Sequence, residues 1–327
     1  MKRFFTSLFL VLSLSSGLHA QANIQSLFVV GDSLSDNGNI FGLLGFNQTP
    51  GVNGWPLIPS APYAPSNNFT NGPVWSDLLA ANLGVPDFNF AFGGARTGTN
   101  GGNPFVPPGG LDQLGLILLN FGSMLPSSGL YSVWLGGNDL RDAARAADAA
   151  TATTIVNDAI QNISGIITGL ANAGAINFLV PNAADLSLTP EADLAVSFGL
   201  TPFVQDASAI TNQFNSALAS SMTNLESTLG VNITLLDTFG AVNAMVADPA
   251  GFGFTDVDNP CLQIGGSGVC SNPDEYLFWD GLHPTAAVHA QTAALATAAV
   301  VPVPAALPLF LSALAIFGVW SRRKGQG

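Results

Sequence analysis

The sequence predicts an α/β fold in which a parallel β-sheet carries helices on both faces. Short apolar runs alternate with longer segments of helical periodicity along the chain, and this alternation is typical of βαβ units. Three of the apolar runs end in polar, glycine-containing turns, and open α/β sheets bind their ligands at the carboxyl ends of the strands. We therefore expect a single crevice at that edge of the sheet.

The individual elements follow from the local patterns of apolar, glycine and proline residues. Predicted strands cover 26–30, 87–92, 130–135, 176–180 and 233–236. Predicted helices cover 75–83, 111–119, 151–173, 203–229 and 285–299. The stretches 40–74 and 97–110 are rich in Gly, Pro and Asn and are expected to be long loops. Loops of this length usually contribute to function more than to the structural framework.

The amino-terminal residues 1–22 are predicted to be a signal peptide. Lys2 and Arg3 precede a short apolar run over 4–14, and Ala20-Gln21-Ala22 supplies a small-x-small cleavage site. The apolar run is too short to span a bilayer. The mature chain is therefore expected to begin near Asn23 and to be exported.

A second targeting segment is predicted at 301–327. The entry Val301-Pro302-Val303-Pro304-Ala305 leads into an apolar stretch over 305–320, and Arg322-Arg323-Lys324 follow. This order is typical of a marginal membrane-spanning helix with a basic end held in the cytoplasm. It resembles the PEP-CTERM sorting signals of Gram-negative bacteria in a Val-Pro-x-Pro-Ala form, which implies sorting (exosortase) machinery as a partner and a secreted or surface location. A plain single-pass anchor is the alternative. One domain over 23–300 remains between the two segments.

The charge of that domain argues against nucleic acid as a partner. It contains all 21 acidic residues, no lysine, and only Arg96, Arg141 and Arg145 as positive side chains. Such a field repels phosphate backbones. The 48% hydrophobic content excludes a disordered chain.

The two cysteines, Cys261 and Cys270, are predicted to form a disulfide, since an exported chain with two cysteines this close pairs them most simply. The alternative is a thiol nucleophile, but neither cysteine has a neighbouring histidine.

Histidine is scarce, which narrows the chemistry. Outside the predicted signal peptide only His283 and His289 occur. No HExxH, Walker A, strand-linked GxGxxG or GxSxG pattern is present, so we expect no metal and no organic cofactor. Serine chemistry remains, and a serine hydroxyl needs a histidine base that is oriented by a carboxylate.

One set of residues meets that need. Ser33 follows the first predicted strand, and Asp280 stands three residues before His283. His289 has no nearby acid and is expected to be a packed or surface helix residue. An oxyanion needs rigid neutral donors, and the strand-end turns offer the Ser33 and Gly94 N–H groups and the Asn138 amide.

Four short blocks carry a resemblance to a known family. "GDSLSDNGN" at 31, "NFAFGGA" at 89, "GGND" at 136 and "DGLHP" at 280 resemble the signature blocks of the GDSL esterases and lipases, in the SGNH hydrolase superfamily. The resemblance covers roughly 24–299 and implies a flavodoxin-like three-layer α/β/α sandwich.

Carried over block by block, it makes Ser33 the nucleophile, His283 the base and Asp280 the orienting acid. Ser33, Gly94 and Asn138 become the oxyanion donors. Gly93 is the alternative in the second block, but Gly94 stands five residues after Asn89, as in the family pattern.

The expected function is a secreted or surface-sorted serine esterase. A short-chain ester, a lipid or an acetylated glycan is the implied substrate. An acyltransferase of the same fold and a catalytically silent surface protein are the alternatives. Asp32, Asp36 and Asn39 are expected to hold the turn, and Ser35 to be dispensable. Asp139, Arg141, Asp142 and Arg145 are expected to pair with one another at a helix start.

Overall fold

The central sheet has five parallel strands. The computed structural model describes residues 24–45, 67–197, 201–262 and 268–301. The strands are β1 (Ser26–Gly31), β2 (Asp87–Asn89), β3 (Gly129–Trp134), β4 (Asn177–Pro181) and β5 (Asn232–Leu236), in the order β2-β1-β3-β4-β5. This is the flavodoxin-like order, so the predicted fold class is confirmed.

Helices cover both faces of the sheet. They are α1 (Asn39–Gly45), α2 (Trp75–Leu83), α3 (Gly110–Phe121), α4 (Gly137–Ala144), α5 (Ala149–Asn172), α6 (Pro190–Ser197), α7 (Thr201–Leu229), α8 (Thr238–Ala247), α9 (Pro249–Phe252) and α10 (Ala286–Val300). Helices α3, α5 and α7 pack on one face with Phe28, Tyr131 and Phe178. Helices α2 and α10 pack on the other face with Leu27 and Val29. Alternate residues of β1 thus enter opposite cores, as the strand period requires.

The strand order places the crevice between β1 and β3. The chain leaves β1 toward β2 on one side, whereas β3 and the later strands lie on the other. At such a switch point the two outgoing connections separate and leave room for a ligand. The turns that contain Ser33 and Asn138 both begin there.

Several element boundaries differ from the predictions. Strand β2 ends at Asn89 instead of 92. Beyond it, the Phe90 and Phe92 N–H groups still donate to the Val29 and Gly31 carbonyls of β1, and the Ala91 N–H donates to the Asn89 side-chain oxygen. Helix α1 lies within the predicted 40–74 loop. A small two-stranded parallel sheet was not predicted; it pairs β6 (Asp256–Pro260) with β7 (Tyr276–Phe278). Its residues alternate too little in polarity to signal a strand.

Both predicted targeting segments lie outside the described residues, except for Val301, and so do 46–66 of the predicted loop. Within the described ranges, no helix is long and apolar enough to cross a membrane.

The predicted mutual pairing of charges at the start of α4 is wrong. Arg141 and Arg145 both pair with Glu191 of α6, and Asp142 pairs with Arg96. Asp139 is buried and accepts from the N–H and hydroxyl of Thr97. The partners are distant in sequence, so helix spacing alone cannot identify them.

Two carboxyl groups, Asp77 of α2 and Asp87 of β2, face each other in a partly buried site. Asp77 accepts from the Asn37 amide at 2.9 Å, whereas both Asp87 oxygens are buried with no donor from the described residues. Burial, and then the charge of Asp77, raise the pKa of Asp87 to about 7. The pair therefore holds a proton well above the ordinary range of a carboxyl group.

We expect Asp87→Asn to stabilise the fold more at pH 8 than at pH 5. A raised folded-state pKa costs stability as pH rises from the ordinary value through the raised one. The asparagine removes that cost, and the gain should differ by about 2 kcal/mol between the two pH values. Urea unfolding at both pH values measures it. An equal change at pH 5 and pH 8 would contradict the shared-proton interpretation.

Candidate active site

The turn after β1 is built around Gly31 and Asp32. Gln113 of α3 exchanges two hydrogen bonds with the backbone of Gly31, at 2.9 and 2.8 Å, and so fixes the end of the strand. A Cβ on Gly31 would lie 2.8 Å from the Ser35 Cβ, so the tight turn requires glycine. The Ser35 and Asp36 N–H groups donate to the Asp32 carbonyl. The chain therefore stops being a strand at Asp32 and presents Ser33 at the edge of the sheet.

The Asp32 and Asp36 side chains hold this turn, as predicted. Asp32 accepts the N–H of Leu34, and burial raises its pKa to about 6 despite that hydrogen bond. Asp36 accepts the N–H groups of Gly38 and Asn39 with one oxygen and that of Gly93 with the other. Asp36 thus ties the turn after β1 to the segment after β2.

Asp280 and His283 lie in one short turn after β7. Asp280 Oδ1 accepts the N–H groups of Leu282 and His283 at 2.8 and 2.7 Å, and Oδ2 lies 2.8 Å from His283 Nδ1. With Nδ1 as donor to the carboxylate, Nε2 is an acceptor. The His283 ring also packs on Phe69, with 5.1 Å between ring centroids.

The structure brings Ser33, His283 and Asp280 into a single hydrogen-bonded chain. His283 Nε2 lies 2.8 Å from Ser33 Oγ, across 250 residues of sequence. All three side chains are largely buried, and the strand–turn and turn–helix elements that carry them are fixed by their own backbone hydrogen bonds. This is the geometry in which a histidine removes the proton of a serine hydroxyl.

Gly93 and Gly94 differ in whether their N–H groups already have an acceptor. The Gly93 N–H is already donated to Asp36 at 2.6 Å, and a Cβ there would overlap Phe69. Gly94 has a φ of +78°, and its N–H has no acceptor within the described part of the chain. The positive φ favours glycine, and it is Gly94 whose N–H remains available.

Asn138 adjoins that N–H. It is the second residue of α4, and its amide Nδ2 donates to the Ala95 carbonyl at 2.9 Å, one residue after Gly94. Its Oδ1 accepts from Arg141, which Glu191 holds through two further hydrogen bonds. These contacts fix which way the amide faces, so the second N–H of Nδ2 is left for a ligand.

Glu191 also reaches the other side of the site. Its own N–H donates to the Gly281 carbonyl at 2.7 Å, beside Asp280. The Arg141–Glu191 pair therefore links the Asn138 turn to the Asp280–His283 turn. No sequence signal identified this link, nor the roles of Gln113 and Phe69, because each joins elements far apart in the chain.

His289 is a packed residue of α10, as predicted, with only 3% of its surface exposed. Its Nδ1 accepts the Trp75 N–H at 3.2 Å. Burial, together with the charge of His283, lowers the pKa of His289 to about 3. Among the described residues, no group of three His, Cys, Asp or Glu side chains is placed to hold a metal ion.

A cavity of about 470 Å³ opens at this site. Its lining includes Ser33, Asn138 and His283, and most of the remaining wall is apolar. The volume lies within the range of small-molecule sites. A ligand in the cavity would therefore meet the Ser33 hydroxyl.

A Ser–His–Asp chain beside backbone and amide donors, at the switch point of a parallel α/β sheet, is the arrangement found in serine hydrolases. Residues 27–296 match the family model described as GDSL-like Lipase/Acylhydrolase. The chain belongs to this family and is a carboxylic ester hydrolase.

The chain is similar to a bacterial hemolysin, a plant esterase/lipase and a solved aryl esterase structure. The thermolabile hemolysin of Vibrio parahaemolyticus is 26% identical over 81% of this chain, and the chain covers 61% of its length. A GDSL esterase/lipase of Arabidopsis thaliana is 24% identical over 86% of this chain and 88% of its own. An aryl esterase of M. smegmatis aligns over 84% of this chain and 96% of its own, with 16% identity and a TM-score of 0.45.

Cys261 and Cys270 are joined by a disulfide beside the Asp280–His283 turn. The Cys261 N–H donates to the Phe278 carbonyl, and the Leu262 N–H donates to the Trp279 carbonyl. Trp279 directly precedes Asp280. The stapled loop therefore supports the backbone from which the Asp280 carboxylate projects.

We expect the double substitution Cys261→Ser/Cys270→Ser to lower the free energy of unfolding by about 2–3 kcal/mol, because an open loop has more conformational freedom when unfolded. Thermal unfolding with and without dithiothreitol measures this. The reductant should lower the Tm of the wild type toward that of the variant and leave the variant unchanged. A Tm that is the same in both proteins would contradict a stabilising bond.

Proposed function

We propose that the protein hydrolyses carboxylic esters through an acyl-enzyme on Ser33. His283 acts as the base, and Asp280 holds its ring. The observation that carries the proposal is the continuous chain of two 2.8 Å contacts from Asp280 through His283 to Ser33 Oγ. Membership of the family and the cavity that opens on Ser33 support it.

In the first step, Ser33 Oγ attacks the ester carbonyl carbon while its proton passes to His283 Nε2. The charge that develops on the carbonyl oxygen is stabilised by the N–H groups of Ser33 and Gly94 and by the Asn138 amide. The intermediate collapses, the C–O bond to the alcohol breaks, and the alcohol leaves with the proton held on His283.

In the second step, a water molecule gives a proton to His283 and attacks the acyl-enzyme carbonyl. The same donors stabilise the second oxyanion. The Ser33 oxygen then leaves, takes the proton back from His283, and the carboxylic acid is released. Throughout, the Asp280 carboxylate holds the His283 ring through Nδ1 and stabilises the positive charge that forms on it during each step.

Two alternatives differ in their requirements. An acyltransferase would use the same first step, with an alcohol in place of water in the second. A catalytically silent surface protein would have no need of the three-residue chain, so the ordered contacts favour an enzyme. The relatives carry names that include esterase, lipase and hemolysin, and short-chain esters, lipids and acetylated glycans are the substrate classes we propose.

We further propose that the chain is exported, with 1–22 as the signal peptide and 301–327 as a PEP-CTERM-like sorting segment that sorting machinery recognises. In 1–22, charged residues, an apolar run and a small-residue cleavage site follow one another. In 301–327, a proline-containing entry, an apolar stretch and a basic end follow one another. Mass spectrometry of the mature protein tests both ends, since it should show a start near Asn23 and the state of the carboxyl terminus. A mature chain that retains Met1 would contradict export by cleavage.

Covalent labelling tests the mechanism. A fluorophosphonate reacts with an activated serine, and we expect one label per chain. Tandem mass spectrometry of the peptic peptide that contains 31–36 should place the label on Ser33 and not on Ser35. An unlabelled protein, or a label elsewhere, would overturn the proposal.

A further inference from the structure

The cavity beside Ser33 is apolar for most of its length. It runs between the end of β3 and helices α4, α8 and α10, and its apolar wall includes Trp134, Leu140, Met245, Leu277 and Val288. A carbonyl carbon at Ser33 Oγ therefore has an apolar space beside it, and burial of a chain of methylene groups there is favourable.

Nearly all the buried polar side chains of the wall are already committed to protein partners. The Thr189 hydroxyl donates to the Leu186 carbonyl, and that of Thr238 donates to the Asn182 carbonyl. Asp185 accepts from the Ser187 and Ser208 hydroxyls. Asp32 offers oxygen acceptors close to the nucleophile.

Apart from the Asn138 amide, which is assigned to the oxyanion, His289 is the buried donor of this wall that has no acceptor among the described residues. Its ring lines the cavity, and only 3% of the surface of His289 is exposed to solvent. Because Nδ1 accepts the Trp75 N–H, the proton of the neutral ring is on Nε2. Burial keeps the ring neutral, with a pKa of about 3.

The Nε2–H of His289 has no acceptor among the described residues, and His289 lines the cavity, so we infer that this N–H faces the cavity. A buried donor that stays unpaired costs free energy. A ligand that places an oxygen there recovers that cost, whereas a plain hydrocarbon chain leaves the donor unpaired. The position of His289 thus makes an otherwise apolar cavity selective for one kind of chain.

We propose that the cavity binds the acyl chain of the ester and that the His289 Nε2–H hydrogen-bonds an oxygen atom carried on that chain. The preferred substrates are then esters of oxygen-bearing acyl groups, such as hydroxyacyl or alkoxyacyl groups. The inference rests on the proposed function, because it takes Ser33 as the acylated residue.

An ether scan tests it. The p-nitrophenyl ester of octanoic acid is compared with analogues in which one methylene, from the third carbon of the chain onward, is replaced by oxygen. Each kcat/KM is divided by the rate of the same ester with hydroxide, which removes differences in intrinsic reactivity. We expect one position to exceed octanoate by about tenfold and the other positions to fall below it, because an ether oxygen is then buried unpaired.

The variant His289→Asn assigns the effect to the donor. The side-chain oxygen of an asparagine can accept the backbone N–H of Trp75 in place of Nδ1, but asparagine is too short to provide a donor at the position of Nε2. The preference for the favoured ether should fall to about one. In the control Thr292→Val, the lost hydroxyl lines the same cavity but is committed to the Val288 carbonyl, so the preference should persist.

Two results would overturn the inference: no favoured ether position in the wild type, or a preference that survives His289→Asn. The wild-type scan tests the inference even if the His289→Asn variant does not fold. If octanoate is hydrolysed but no ether is preferred, only this inference fails. If the wild type hydrolyses p-nitrophenyl acetate but none of the octanoate-length esters, only this inference fails. If it hydrolyses neither, the proposed function fails.

Discussion

Replacing Ser33 with alanine is expected to lower kcat/KM for p-nitrophenyl acetate by roughly 10⁴-fold or more. The alanine has no hydroxyl to attack the ester, and His283 Nε2 loses its 2.8 Å partner. The backbone N–H groups and the cavity remain, so a small residual rate over water should persist. Steady-state kinetics with a thermal unfolding curve of each protein measures this.

Ser35→Ala is the matched control. Ser35 lies two residues away and is fully buried, and its hydroxyl accepts the Trp75 indole N–H at 3.0 Å. The loss should cost about 1 kcal/mol of stability while turnover stays close to wild type. Loss of turnover in Ser35→Ala but not in Ser33→Ala would show that the wrong serine has been identified.

Asn138→Asp is expected to lower kcat by roughly 10³-fold. The substitution keeps the shape of the side chain, but a carboxylate cannot donate to the developing oxyanion and its negative charge repels it. KM should change much less, because the ground-state ester carries no charge at that oxygen. Pre-steady-state and steady-state kinetics on p-nitrophenyl acetate measure both parameters.

Asn138→Ala separates the catalytic role from the structural one. It removes the hydrogen bonds to Ala95 and Arg141 without adding a charge. If the amide acts on the oxyanion, the alanine should retain more activity than the aspartate at equal Tm. Equal kcat for Asn138→Asp and the wild type would rule out the amide as a donor.

The sequence predicted the fold class and the candidate site from local features. Strand ends, the glycine turns and the single histidine with an acid three residues before it are all short-range signals. Ser33, Gly94, Asn138, Asp280 and His283 could therefore be proposed together, and the structure brings them to the same edge of the sheet. The β6–β7 sheet and the partners of Arg141 were missed because they depend on distant contacts.

The sequence by itself determined the alternation of strands and helices and the inventory of reactive side chains, because apolar periodicity and the scarcity of histidine are properties of the chain. Only the tertiary structure decided which N–H groups and side chains already have a hydrogen-bond partner within the protein. It committed the Gly93 N–H to Asp36 and left the Gly94 N–H available. It also paired His289 Nδ1 with the backbone N–H of Trp75 and placed His289 in the wall of the cavity. A hydrogen bond across the fold depends on distance and direction, and a one-dimensional pattern specifies neither.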